Sequence, residues 1–203
     1  MTVAADPPVR ASLWSDDVRV ILRPGPTYAE LARQRGRGSF LVRPVSFALL
    51  IGLAIAISAS GRPTLRLVLG SAVAWSFLPA LHAGSVALVT LTLARGRLIP
   101  GRAIDLYFMG LLPWSAWLLG IAAVASFTPP AREATLWSTV LFSAPVPFIW
   151  ARIVTFAFLR RALGLSRKRS LAAVALNLAI VWGAILAFFL LSGQLWPRIV
   201  GRS

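Results

Sequence analysis

Five apolar stretches, at about 44–60, 67–94, 104–127, 135–159 and 170–191, alternate with gaps that hold nearly all the arginines. Runs of seventeen or more residues with almost no charge are long enough to cross a hydrocarbon core as helices. With 58% hydrophobic residues and a mean hydropathy of +0.77, the chain is too apolar for one soluble core with polar faces to cover it. The expected fold class is all-α, a polytopic membrane bundle of five transmembrane helices. It divides into an N-terminal segment over 1–43 with short amphipathic helices, a membrane domain over 44–193 and a short external tail over 194–203. An odd span count without an internal repeat argues against a simple inverted-repeat transporter. The first apolar run begins some forty residues in, too far for a cleaved leader, so the first span is expected to stay in the mature protein.

The flanks of these runs set an orientation. Of the 21 cationic residues, sixteen fall in the N-terminal segment, the second and fourth connections and position Arg152, and five fall on the opposite side. By the positive-inside rule the N-terminus is expected to be cytoplasmic and the C-terminus outside. Cations at span ends also account for the net charge of +15 through lipid phosphates, so nucleic acid is not an expected partner. Twenty of the cations are Arg and one, Lys168, is Lys. That preference points to a GC-rich bacterial genome and hence to the cytoplasmic (inner) membrane of a bacterium. Trp137 and Trp196 sit where interfacial anchors are expected.

Within the N-terminal segment, Leu13, Trp14, Val18, Ile21 and Leu22 share one helical face, with Asp16, Asp17 and Arg19 pointing elsewhere. This amphipathic helix would lie in the membrane interface or dock on the bundle or a partner. Pro24-Gly25-Pro26 should end it, and Thr27 with Glu30 has the spacing of a capping box opening a second short helix. The second apolar run is 28 residues long and exceeds a bilayer core as a continuous helix, so it should tilt, kink at Pro79 or project past the lipid. Pro113, Pro145 and Pro147 interrupt the third and fourth spans, and Ser143 is a hydroxyl placed to satisfy freed carbonyls. The pairs Gly52/Ala56, Gly70/Ala74 and Ala80/Gly84, each four residues apart, would let helices approach closely.

Few residues carry chemistry. Arg152 lies seven residues before Leu159, roughly 10 Å inside the cytoplasmic edge, and Asp105 is the acid nearest in depth. The two form a candidate intramembrane polar pair, either binding an anion or headgroup or simply pinning two helices. Snorkelling of Arg152 to phosphate is the simpler alternative. His82 and Asn177 are expected to be polar packing residues that hydrogen-bond between helices. Arg160, Arg161, Arg167, Lys168 and Arg169 place five cations within ten residues and are candidate contacts for anionic headgroups, although setting topology already explains them.

With no cysteine and one histidine, the chain has no set of donors for a thiolate or histidine metal site, and no cofactor is expected. His82 and Ser85, three apart on one helix, do not establish a catalytic dyad. No H-E-x-x-H, paired intramembrane carboxylates or phosphate-binding Gly loop occurs. A non-enzymatic role is expected.

The stretch Val20 to Leu31 combines an apolar helix, a proline and a short helix ahead of five spans; Tyr107, Gly110 and Pro113 fall within the third. In these features the chain resembles the Yip family, multi-spanning membrane proteins named for interaction with small trafficking GTPases. The D-L-Y-G-P and G-Y-S stretches of eukaryotic relatives are absent, so the resemblance does not bring their GTPase partners with it. Taken with the residues, it implies a protein that organises anionic lipid or a membrane-protein partner, or assembles with its own copies, through its cytoplasmic face. The alternative is a permease, or permease subunit, for a small solute, motivated by the proline-broken spans and Arg152.

Overall fold

A computed structural model describes residues 13–34, 40–61, 63–94, 97–128 and 133–200, with side chains except at 13–15, 133–137 and 192–200. The described residues form an all-α chain: α1 (Leu13–Leu22), α2 (Pro24–Leu31), α3 (Val42–Ser60), α4 (Leu65–Ala74), α5 (Phe77–Leu93), α6 (Pro100–Met109), α7 (Leu112–Phe127), α8 (Glu133–Ser143), α9 (Pro145–Arg161) and α10 (Arg167–Val200). Three helical stretches, Val42–Ser60, Ser138–Arg161 and Arg167–Leu191, are each long and apolar enough to cross a membrane. Two bent pairs, α4 with α5 and α6 with α7, bring the number to five if each pair crosses once. The side chains of Leu13, Trp14, Trp137 and Trp196, and the 201–203 end of the tail, lie outside the described residues.

Proline explains both bends. Pro79 has no N–H to offer the Trp75 carbonyl four residues back, and the α4–α5 pair bends by 41° there. The turn is closed instead by Leu78 N donating to Trp75 O at 3.1 Å. Pro113 likewise abandons the Met109 carbonyl, and α6 meets α7 at 45°. Gly110 N and Leu111 N bridge that break through bonds of 2.9 and 3.1 Å to Tyr107 O and Phe108 O. Pro145 and Pro147 open α9 after a break of one residue, Ala144. The Ser143 hydroxyl donates to Thr139 O at 2.6 Å and receives the Trp117 indole N–H at 2.9 Å, tying α8 to α7.

The N-terminal segment is part of the bundle. Val20 and Tyr28 are fully buried and Leu31 nearly so. The Tyr28 ring meets Phe158 of α9 edge-on at 5.5 Å, and its hydroxyl donates to Leu106 O of α6 at 3.2 Å. Burial pushes the Tyr28 phenol up, so it stays a neutral donor.

Two sequence expectations fail here. The buried face of α1 is Asp17 and Val20, whereas Val18 and Leu22 are 48% and 70% exposed. Helical spacing cannot foresee an aspartate that turns inward to meet a distant arginine. Nor does Thr27 cap a helix. With Pro24 supplying the first turn, where its missing N–H is harmless, α2 begins three residues earlier. The Thr27 hydroxyl donates to Arg23 O at 2.8 Å, and Glu30 pairs with Arg19.

Of the small-residue pairs, only the first marks a helix crossing within the chain. A Cβ at Gly52 would clash with the Val68 carbonyl and lie 2.8 Å from Ala72 N, while Ala56 is 1% exposed. Gly70 and Gly84 face open space. Gly61, at φ 66°, ends α3 in the left-handed conformation and turns the chain into α4.

Candidate functional site

Antiparallel succession of the spans collects the cationic flanks at one end. Arg43 opens α3, Arg97 follows α5, Arg102 lies in the first turn of α6, Arg160 and Arg161 close α9, and Arg167, Lys168 and Arg169 open α10. Arg97 lies against Gly164, which sits in the connection between α9 and α10 at φ 66°. Arg97, Arg160, Arg161, Arg167, Lys168 and Arg169 are exposed there, and so are Arg23 and Arg33 of the docked segment. A polar depression of about 740 Å³ runs between Arg97 and Arg169.

Below these exposed cations lies a charge network that sequence reasoning missed. Arg43 donates to Asp17 at 2.7 Å and to Asp105 at 2.8 Å, and Arg102 donates to the other Asp105 oxygen at 2.9 Å. These four side chains are between 12% and 17% exposed, so the network clamps α1 to α3 and α6 away from bulk water. Burial pushes the Asp17 carboxyl above the usual range, with Arg43 pulling it partly back.

The structure does not bring Asp105 and Arg152 together. Among the described residues the ion pairs of Asp105 are with Arg43 and Arg102, and Arg152 Nη1 donates instead to Asn177 Oδ1 at 3.2 Å. Position along the helices did not decide which neighbour each side chain meets.

Arg152 belongs to a second group, built by four helices. His82 and Ser85 come from α5, Tyr107 from α6, Arg152 from α9 and Asn177 from α10. His82 Nδ1 and the Tyr107 hydroxyl share a hydrogen bond of 2.8 Å, and the same hydroxyl lies 3.4 Å from Asn177 Oδ1. Asn177 Nδ2 donates to Ser85 Oγ at 2.7 Å, and Ser85 Oγ donates to the His82 carbonyl at 3.0 Å. Ser85 is thus engaged by Asn177 and by its own helix, not by the imidazole. The bonds among His82, Tyr107, Asn177, Arg152 and the Ser85 hydroxyl stitch helices that have no hydrophobic drive to associate in lipid. Tyr107→Phe should lower stability by about 1 kcal/mol, the scale of interhelical hydrogen bonds in membranes, read as an earlier midpoint when the protein in micelles is unfolded with denaturing detergent.

Beside this group, on the far side from the arginine-rich end, lies a cavity of about 310 Å³, at the small end of ligand pockets. Its walls are apolar (Ile51, Leu78, Trp114, Phe148, Val181 and Trp182 among them), and Arg152 and His82 supply its polar edge. Trp75 and Leu111, the residues at the two helix breaks, also line it. Both prolines therefore shape one space.

No family model, curated protein or solved structure matches the chain. By its own residues it is a helical, multi-pass membrane protein with three to five candidate spans.

Proposed function

We propose that the chain is a non-enzymatic membrane protein of the Yip-like kind, crossing the bacterial inner membrane five times, that organises anionic lipid, and membrane-protein partners or further copies held with it, through a cytoplasmic arginine-rich end. The observation that carries this reading is the set of exposed cations on that end, Arg160, Arg161, Arg167, Lys168 and Arg169 together with Arg97. Each basic residue near an anionic surface contributes about 1 kcal/mol. The docked α1–α2 pair adds Arg23 and Arg33 and keeps the exposed apolar side chains Val18 and Leu22 at the same end. Apolar side chains beside cations suit an interface between lipid headgroups and water.

The test is lipid retention. Protein extracted from membranes of mixed zwitterionic and anionic lipid should carry anionic lipid well above its bulk fraction. Replacing the five cations of the α9–α10 connection with glutamine should remove most of that excess, as counted by mass spectrometry of the bound lipid. Equal retention by both proteins would refute the reading.

The permease alternative draws on the two proline breaks that border the cavity. Those walls are almost wholly apolar, which suits an amphiphile better than a hydrated solute.

A further inference from the structure

Arg152 lies in a candidate span and has no counter-ion among the described residues. Asp105, at similar depth, is saturated by Arg43 and Arg102. Its Nε is buried without a hydrogen-bond partner.

Nor does the side chain snorkel towards the arginine-rich end. Its guanidinium carbon lies 5.7 Å from the centre of the Phe148 ring, one turn closer to the opposite end of α9. Its hydrogen bond goes to Asn177, ten residues into α10, about 15 Å along the axis from the cations at the start of that helix. Helical side chains lean towards the N-terminus of their helix, which for α9 is away from the cytoplasmic phosphates. The charge is thus aimed into the bundle, at the rim of a cavity lined by hydrocarbon. A charge held in lipid without a partner is strongly disfavoured, and its neighbours His82, Ser85, Tyr107 and Asn177 supply hydrogen bonds but no negative charge. An anion from outside the chain would complete the site.

We propose that this cavity binds an anionic single-chain lipid, its acidic head on Arg152 and its chain along the walls formed by Ile51, Leu78, Trp114 and Val181. The walls ask for hydrocarbon and the rim asks for one negative charge. A free long-chain carboxylate and a single-chain phosphate lipid share that chemistry. The inference stands apart from the reading of the arginine-rich end, because the cations on α10 lie far from this cavity.

The site carries its own reporters, since Trp75, Trp114 and Trp182 line it. The full chain in nanodiscs of zwitterionic lipid would be titrated with a dibrominated stearate, whose bromines quench nearby indoles. Quenching should saturate, and Arg152→Gln should weaken half-saturation about 30-fold, the scale for removing one partner of a buried charge pair. Arg152→Lys should recover part of that loss. The methyl ester of the same acid should quench without saturating, and equally in both proteins. An unbrominated single-chain phosphate lipid that displaces the stearate at lower concentration would identify phosphate as the preferred head; weaker displacement would identify carboxylate.

Should Arg152→Gln fail to yield a monodisperse helical protein, Val181→Phe decides the matter. It projects a ring into the cavity, leaves the arginine in place, and should abolish saturable quenching. Superimposable titrations of acid and ester in the unaltered protein, or saturable quenching by the acid that survives both Arg152→Gln and Val181→Phe, would overturn the proposal.

Discussion

Arg43→Met is expected to cost about 3–5 kcal/mol, the price of leaving buried carboxylates without their cation, and to release the α1–α2 pair from the bundle. Arg43 is the only described bridge between Asp17 on α1 and Asp105 on α6. Asp105 keeps Arg102 when Arg43 is lost, but Asp17 keeps no charged partner among the described residues. Trypsin reports the release directly, because Arg19 and Arg33 lie in the docked segment and are already exposed. Cleavage there should accelerate by roughly two orders of magnitude, since proteolysis follows the open population.

The pH dependence has a definite sign. The folded-state value of Asp17 is raised above its ordinary one, so its contribution to stability is present below the ordinary carboxylate range and is lost as pH rises through the folded-state value. Removing Arg43 takes away what pulls that value down. Mild acid should therefore restore part of the thermal stability of the Arg43→Met protein, whereas an Asp17→Asn, Arg43→Met double variant should lack this part of the rescue.

Gly52→Leu should be the most damaging apolar substitution in the spans, at about 3 kcal/mol or more, because overpacking against backbone cannot relax by a rotamer change. The obstacle is the Val68 carbonyl and the Ala72 backbone on the facing helix. Gly70→Leu and Gly84→Leu, made into open space, should stay within about 0.5 kcal/mol of the unaltered protein. Denaturing-detergent titrations of the three variants would separate a tight α3–α4 crossing from a merely small-residue-rich span. If all three behaved alike, the crossing would not be the contact described.

What was legible in the sequence is what depends on one dimension. Apolar length located the helices, with α3 at Val42–Ser60 where 44–60 was expected. Proline located the bends, although the chain breaks one turn before Pro79 and Pro113, where the abandoned carbonyls lie. Alternation of the flanks gathered the arginines at one end.

Azimuth was not legible. Asp105 and Arg152 were matched by depth alone, yet Asp105 meets Arg43 of α3 while Arg152 meets Asn177 of α10. Asp17 was placed off the apolar face by helical spacing, which carries no sign of Arg43, 26 residues away. His82 of α5 meets Tyr107 of α6, and Asn177 of α10 meets Ser85 of α5. The Tyr107 hydroxyl that His82 meets, and the cavity beside them, required the fold.

The account rests on five crossings with every arginine-rich connection on one side. The chain contains no cysteine, so single cysteines placed at Gln34, Thr64, Ile99, Thr128 and Lys168 can each be probed with a membrane-impermeant maleimide. In intact cells Thr64→Cys and Thr128→Cys should react, and Gln34→Cys, Ile99→Cys and Lys168→Cys should react only after the membrane is opened. Labelling of Ile99→Cys from the same side as Thr64→Cys would show that α4 and α5 re-enter rather than cross, and would contradict the account.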